Sequence, residues 1–316
     1  MTEIEAAAVP FAARDTRRGM VALAVTGVLW GSIGVVVRVL QDRGGSTQSI
    51  AFWRFVCAAT VLLVVLGPAG LRDARDHLRR PVRLFAVSVG SLGFQLTFFL
   101  AVRDVGVSTS TLIALGLAPV VLTLAHSVAR WVLPSPRTST VLFVAMLGLA
   151  LVTSAGGTDV ATAPHPLRGV LEAAASGLLY AASTAWSSVL STRMAPMAIT
   201  LATSLLGVLV LLPVVAATSW QVPRTAVSIG GIVWLGVVAT VVAYGLFYAG
   251  LRSTSGHVAM ILTLLEPVSA VLLGALTLHE PLTTPVVAGA LLLLGAIGVL
   301  YAPGAPRRPD LKDKSE

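Results

Sequence analysis

Charge is scarce in this chain. Asp, Glu, Lys and Arg make up 11% of its 316 residues, where a soluble globular domain carries about 25%. That shortfall excludes an ordinary water-soluble fold. Cysteine is nearly absent: Cys57 stands alone in an apolar run, so no internal disulfide can form and packing is its expected role. The five His and one Cys do not fall at ligand spacing, so no metal site is expected. A Walker-type phosphate loop is missing, which argues against ATP hydrolysis by this chain. No Asp is expected inside an apolar span, and His126 has no obvious partner. A convergent nucleophile and base are therefore not in sight, no catalytic residue is named, and no cofactor is expected.

Apolar residues, by contrast, are abundant, at 56% of the chain with a mean hydropathy of +0.88. A membrane-spanning helix needs about 20 mostly apolar residues. Ten such spans can be drawn, at 20–40, 49–67, 83–101, 108–131, 139–155, 168–190, 196–217, 227–250, 256–277 and 284–302. The expected surroundings are therefore a lipid bilayer. Arg14, Arg17 and Arg18 before the first run resemble the start of a signal peptide. The run from Met20 to Leu40 is too long for one and ends without a small-x-small site, so it reads as a retained first helix. The net charge of +8 does not indicate nucleic acid, because the Arg residues are scattered between apolar spans. With the N-terminus inside, 16 of the 22 Lys and Arg fall on inside segments, five fall outside, and Arg54 lies within a span. That bias predicts both termini in the cytoplasm and a cell (inner or plasma) membrane location.

The chain also repeats itself. Arg103 to Pro119 matches Arg252 to Pro267 with a one-residue slip, and Pro119 stands where Pro267 stands. The expected fold is all-α and integral to the membrane, with ten transmembrane helices in two inverted five-helix repeats. The expected divisions are a tail at 1–19, repeats at 20–157 and 158–302, and a tail at 303–316. Inverted repeats place a substrate site near the midplane, beside broken helices. Pro119 and Pro267 are the candidate breaks.

An ionisable group inside a span costs roughly 2.5–3.5 kcal/mol on insertion scales, so each is a functional candidate. Glu266 lies near mid-depth with Thr263 and Ser269 one turn away on its face. It is read as a coupling or substrate-amine site that can take up a proton on one side and release it on the other. The alternative is structural glue between helices. Glu172, Ser176, Tyr180, Ser183, Thr184 and Ser187 form one polar helical face, with Trp186 near in sequence. The expectation is that this face lines a cavity, against the alternative of hydroxyl packing between helices. Glu172 is only four residues from Arg168 and reads equally as an interfacial charge. Gln95 lies on a face with Ser88 and Ser91 and can read ligand donors and acceptors. Trp30 sits too deep for an interfacial belt and is either a cavity wall or core packing. Tyr244 and Tyr248, one turn apart, either stack on a ligand or pack. Arg54 is expected to snorkel to the headgroups. His126 reads as a hydrogen-bonded helix contact, and Glu280 as a cap or gate before the last span.

This pattern resembles the drug/metabolite transporter superfamily, and within it EamA-type permeases. The likeness rests on Trp30-Gly31, Trp53-Arg54-Phe55, Leu117-Ala118-Pro119 and Glu266-Pro267-Val268-Ser269-Ala270, then Gly274 and Leu278-His279-Glu280. It runs from Met20 to Tyr301. Relatives often read Leu-Gly-Glu where this chain has Leu278-His279-Glu280, and the first half has Trp131-Val132-Leu133-Pro134 instead. The resemblance implies transport through a central cavity, and a structural or gating part for Arg54. The reading is a secondary transporter of a small metabolite, an amino acid or similar amphipathic compound, exported by alternating access with Glu266 available for proton coupling. The competing readings are drug efflux, an intramembrane enzyme and a non-transporting sensor or scaffold; the last would bring a signalling domain or a long tail. A homodimer through Gly289, Gly295 and Gly298 is left open.

Overall fold

Proline and hydroxyl residues set where the helices begin. The computed structural model describes residues 13–78, 81–154, 165–218, 220–279 and 281–301. Its helices are α1 (Ala13–Gln41), α2 (Thr47–Leu78), α3 (Pro81–Arg130), α4 (Pro136–Thr153), α5 (Pro166–Ser191) and α6 (Pro196–Thr218). They continue as α7 (Ala226–Val233), α8 (Ala243–Leu251), α9 (Gly256–Thr263), α10 (Leu265–Leu278) and α11 (Thr284–Tyr301). A π-helical stretch, Trp234–Val242, joins α7 to α8 without a break. Proline opens α4 and α5, where its missing N–H is not needed. The hydroxyls of Ser135 and Thr225 cap α4 and α7 by accepting from the N–H groups of Thr138 and Ser228.

Among the described residues there is no strand, and seven helices are long and apolar enough to cross a membrane. One of the seven, Ser88–Arg130, is 43 residues long, about twice what a crossing needs. Gly106 divides it by adopting φ 80° and ψ 166°, a conformation open mainly to glycine. Gly67, at φ 57°, bends α2 in the same way. α5 reaches 26 residues, and its hydroxyl face and early charges keep it outside the seven.

The halves are interleaved, not side by side. α1 packs on α8, α9 and α10; α5 packs on α3; α2 packs on α6; α4 packs on α11. The α2·α6 and α4·α11 contacts each join a helix of the first half to one of the second. Glycines make the approaches close. A Cβ on Gly148 would stand 2.8 Å from the Gly289 carbonyl oxygen, and one on Gly289 would stand 2.5 Å from the Gly148 carbonyl oxygen. A Cβ on Gly31 would meet Ser269 Cβ at 2.5 Å and the Glu266 carbonyl oxygen at 2.7 Å. The largest apolar core joins Leu23, Leu149, Ile199, Phe247, Leu262 and Leu293, from both halves.

The two prolines behave differently. The chain breaks at Leu264, three residues before Pro267, whereas α3 runs through Pro119 unbroken. The expectation of a matched pair of breaks is therefore corrected. The backbone around Pro119 keeps helical dihedrals, and its own carbonyl accepts a 2.7 Å hydrogen bond from the Thr123 hydroxyl.

Glycine position on the last helix gives a direct test. Gly295 faces open space, while Gly289 lies against backbone. Gly289→Leu is expected to destabilise the purified protein by about 1–3 kcal/mol, the usual cost of overpacking. Gly295→Leu should leave the melting temperature within error in the same detergent.

Candidate functional site

The site is built on a helix break. Pro267 has no N–H to give the Thr263 carbonyl, and its ring crowds that carbonyl. α9 accordingly stops at Thr263, Leu264 turns at φ −65° and ψ −1°, and α10 restarts at Leu265. Glu266 then falls in the first turn of α10, at the positive end of its dipole. Its side chain is half-buried. Among the described residues its carboxylate has neither a hydrogen bond nor an ion pair, and its electrostatic neighbours are Tyr180 and Tyr244.

Aromatic rings from both halves gather there. Trp30 of α1 lies 5.0 Å from Tyr244 and 5.3 Å from Phe247, ring centre to ring centre. The Trp30 indole N–H is buried without an acceptor among the described residues. Tyr180 of α5 stacks on Phe94 at 4.7 Å and 22°, with its hydroxyl paired to Thr263 at the break. Tyr248 is buried at 1% exposure, and its hydroxyl engages Thr203 and Ser187. The π-helical stretch precedes Tyr244 and Tyr248, and the Thr240 hydroxyl bonds back five residues to the Leu235 carbonyl at 2.8 Å. Such wide turns are rare and often sit at functional sites, because they re-aim the residues that follow.

Arg54 does not snorkel. It is 9% exposed, and its Nη2 donates to Gln95 Oε1 at 2.6 Å. Its guanidinium lies 4.6 Å over the Phe55 ring, and Tyr244 is a titratable group that acts on its charge. Arg54 and Gln95 thus join the same cluster as Trp30, Tyr180, Tyr244, Tyr248 and Glu266.

Other expected members lie elsewhere. Trp186 is 43% exposed and shares an outward face of α5 with Leu171 and Leu178, so its nearness in sequence to Tyr180 does not carry it to the cluster. The α5 hydroxyl face mainly binds helices together. Ser176 donates to the Phe94 carbonyl at 3.0 Å, Ser183 bonds Ser91 at 2.8 Å, and Ser187 serves Tyr248. Glu172 accepts from Arg168 at 2.9 Å in a separate ion network at the α3–α5 end. The centre of that network, Asp104, was not anticipated. It is 2% exposed, 3.0 Å from Arg103 Nε and 3.3 Å from Arg168 Nε, the second contact lacking hydrogen-bond geometry. Its only signal was the Arg103-Asp104 pair before Gly106, which reads as a loop. His126 has a partner after all: its ring lies 5.5 Å from that of His257. Glu280 lies outside the described residues.

A separate cavity of about 390 Å³ opens beyond this cluster, between the α1–α2 and α6–α7 turns. Arg43, Trp53, Trp220 and Arg224 line it, and the Trp53 indole donates to the Gln221 carbonyl at 2.7 Å. Among the described residues no group of three or more His, Cys, Asp or Glu is placed to hold a metal ion.

Long apolar helices, interleaved halves and a few ionisable side chains at a helix break define a multi-pass membrane protein of transporter type. The chain belongs to the EamA-like transporter family, whose sequence model matches residues 17–154 and again 167–302. It is 27% identical over 291 residues to the uncharacterized inner membrane transporter YicL of Salmonella typhimurium, covering 90% of this chain and 95% of that protein. It is 27% identical over 293 residues to the uncharacterized transporter YwfM of Bacillus subtilis, covering 90% and 93%. An uncharacterized transporter of Archaeoglobus fulgidus is 29% identical over 289 residues, covering 90% and 97%. A solved crystal structure shares the fold with a TM-score of 0.71 at 19% identity, covering 91% of this chain and 97% of that one.

The ion network carries its own prediction. Asp104→Asn leaves Arg103 and Arg168 without their shared carboxylate. Both guanidiniums are more than half exposed, so solvent screening keeps the expected loss of stability small in an unfolding measurement. Trp186→Leu, on the outward face, is expected to leave stability unchanged in the same unfolding measurement.

Proposed function

We propose that this chain is a secondary transporter of a small amphipathic metabolite, an amino acid or a compound like one, exported by alternating access. The observation that carries the reading is Glu266. A carboxylate without a hydrogen-bond or ion-pair partner among the described residues, placed at a helix break and walled by aromatics of both halves, is a poor structural contact and a good exchange site. Counting the two parts of α3 separately and adding α5 and α11 to the seven long apolar helices makes ten crossings. Two inverted five-helix repeats follow from that count, with both termini in the cytoplasm of a cell in whose inner or plasma membrane the chain sits. In this reading the close seam of α1 on α10 is where one repeat rocks against the other. Proton coupling runs through Glu266, which is protonated from one face and releases its proton to the other.

Efflux of a cationic drug is the second reading. It is favoured by the rings of Trp30 and Tyr244 beside a carboxylate, a setting that suits a cation.

The experiment is flux in proteoliposomes under an imposed pH gradient, with substrates first chosen by thermal shift of the purified protein. The wild type should concentrate the substrate as the gradient dictates. Glu266→Gln should bring gradient-driven flux to background while leaving exchange at equal pH measurable. Full gradient-driven flux by Glu266→Gln would sink the coupling role.

A further inference from the structure

Arg54 and Asp104 are the two charged side chains buried most completely among the described residues, and their surroundings are opposite. Asp104 has two guanidiniums beside it. Arg54 has no carboxylate within ion-pair distance among the described residues. Its one charged-group hydrogen bond goes to a neutral amide, Gln95 Oε1 at 2.6 Å, and that amide is steadied by its Nε2 reaching the Ser91 carbonyl at 3.4 Å. The Arg54 Nε–H is buried and has no acceptor among the described residues. A second buried donor in the same cluster, the Trp30 indole N–H, also has none. Both groups neighbour Tyr244, Trp30 through its ring at 5.0 Å and Arg54 through its charge. Tyr244 in turn neighbours Glu266.

A buried cation with unused donors is kept where something supplies the missing acceptors. A planar guanidinium suits a carboxylate best, because it can give two parallel N–H donors to its two oxygens. Snorkelling does not explain Arg54, since its side chain is turned inward onto Phe55 and Gln95. A purely structural arginine would satisfy its Nε on a backbone carbonyl, as Arg252 does with Ser191 at 2.6 Å.

We propose that Arg54 is the anion-binding residue of the transport site, with the Trp30 indole N–H as a second donor, and that the substrate carries a carboxylate. Resting on the transport reading above, this assigns charge to both ends of the site. Arg54 takes the carboxylate and Glu266 takes the ammonium of a zwitterion, with Tyr244 between them. It also decides against a simple cationic drug, which Arg54 would repel.

The test uses the full chain and three probe sets: the common amino acids, the amines that lack their carboxylate, and the acids that lack their amino group. Binding is read by thermal shift in detergent, and flux by counterflow in proteoliposomes. The wild type is expected to bind at least one amino acid on the order of 30-fold or more tighter than the matching amine. Arg54→Gln should erase that preference, and Arg54→Lys should restore part of it. Trp30→Phe, which keeps the ring and loses the N–H, should weaken the amino acid several-fold, and it serves should Arg54→Gln fail to fold. Equal or tighter binding of amines by the wild type, with flux intact, overturns the Arg54 assignment and leaves transport standing. If no probe of any set shifts the melting temperature or crosses the membrane, both readings fall.

Discussion

One missing hydrogen bond organises the centre of this protein. Pro267 offers no N–H to Thr263, so the helix stops and restarts at Leu264. In lipid a freed carbonyl must be covered by protein, and α1 supplies the cover. Gly27 lies so close that a Cβ there would stand 3.2 Å from the Thr263 carbonyl oxygen, and Gly31 does the same against Glu266 and Ser269. The two glycines are one turn apart, as are the groups they cover. A side chain at either position would push α1 away and expose the break. The break thus depends on α1, and α1 carries Trp30 into the aromatic cluster between those glycines.

The same economy recurs in the other half without the break. Gly177 of α5 would meet the Ala114 carbonyl oxygen at 2.8 Å, on the part of α3 that carries Ala118 and Pro119. There α3 stays helical, Ala118 is fully buried, and a small apolar cluster with Ala181 and Met260 fills the place. The two halves therefore share a packing scheme and differ in what it encloses. One half encloses apolar contact. The other encloses an opened helix and a carboxylate.

Much of this was legible in the chain. Composition and run length are one-dimensional properties, so the all-helical membrane class, the positions of the helices and the family likeness could be read directly. Glu266 stood out because a carboxylate beside proline in an apolar run has few innocent explanations. Trp30, Tyr180, Tyr244 and Tyr248 stood out as polar-tipped aromatics at depth, and the structure places them together. The failures are three-dimensional. Nearness in sequence suggests Trp186, yet six positions along a helix from Tyr180 turn it to another face. The α5 hydroxyls looked like a cavity lining because a polar face says only that it meets something other than lipid; Ser91 and the Phe94 carbonyl turned out to meet it. Asp104 looked like a loop residue and His126 looked solitary, because their partners Arg168 and His257 lie on distant segments. Arg54 near a helix end suggested snorkelling; only the fold shows that Gln95 and Phe55 hold it inward. The π-helical stretch before Tyr244 left no pattern to read.

Alternating exposure of the break is the centre of this account, and site-directed thiol labelling tests it most directly. Ala270 sits one turn after Glu266 on the same face, and the chain's single cysteine, Cys57, can be replaced by serine to give a clean background. Ala270→Cys should react with a membrane-impermeant thiol reagent applied from either side of sealed vesicles, and a transported substrate should slow both reactions. Labelling from one side alone, unchanged by substrate, would contradict an exchange site at Glu266 and leave the break as a structural bend.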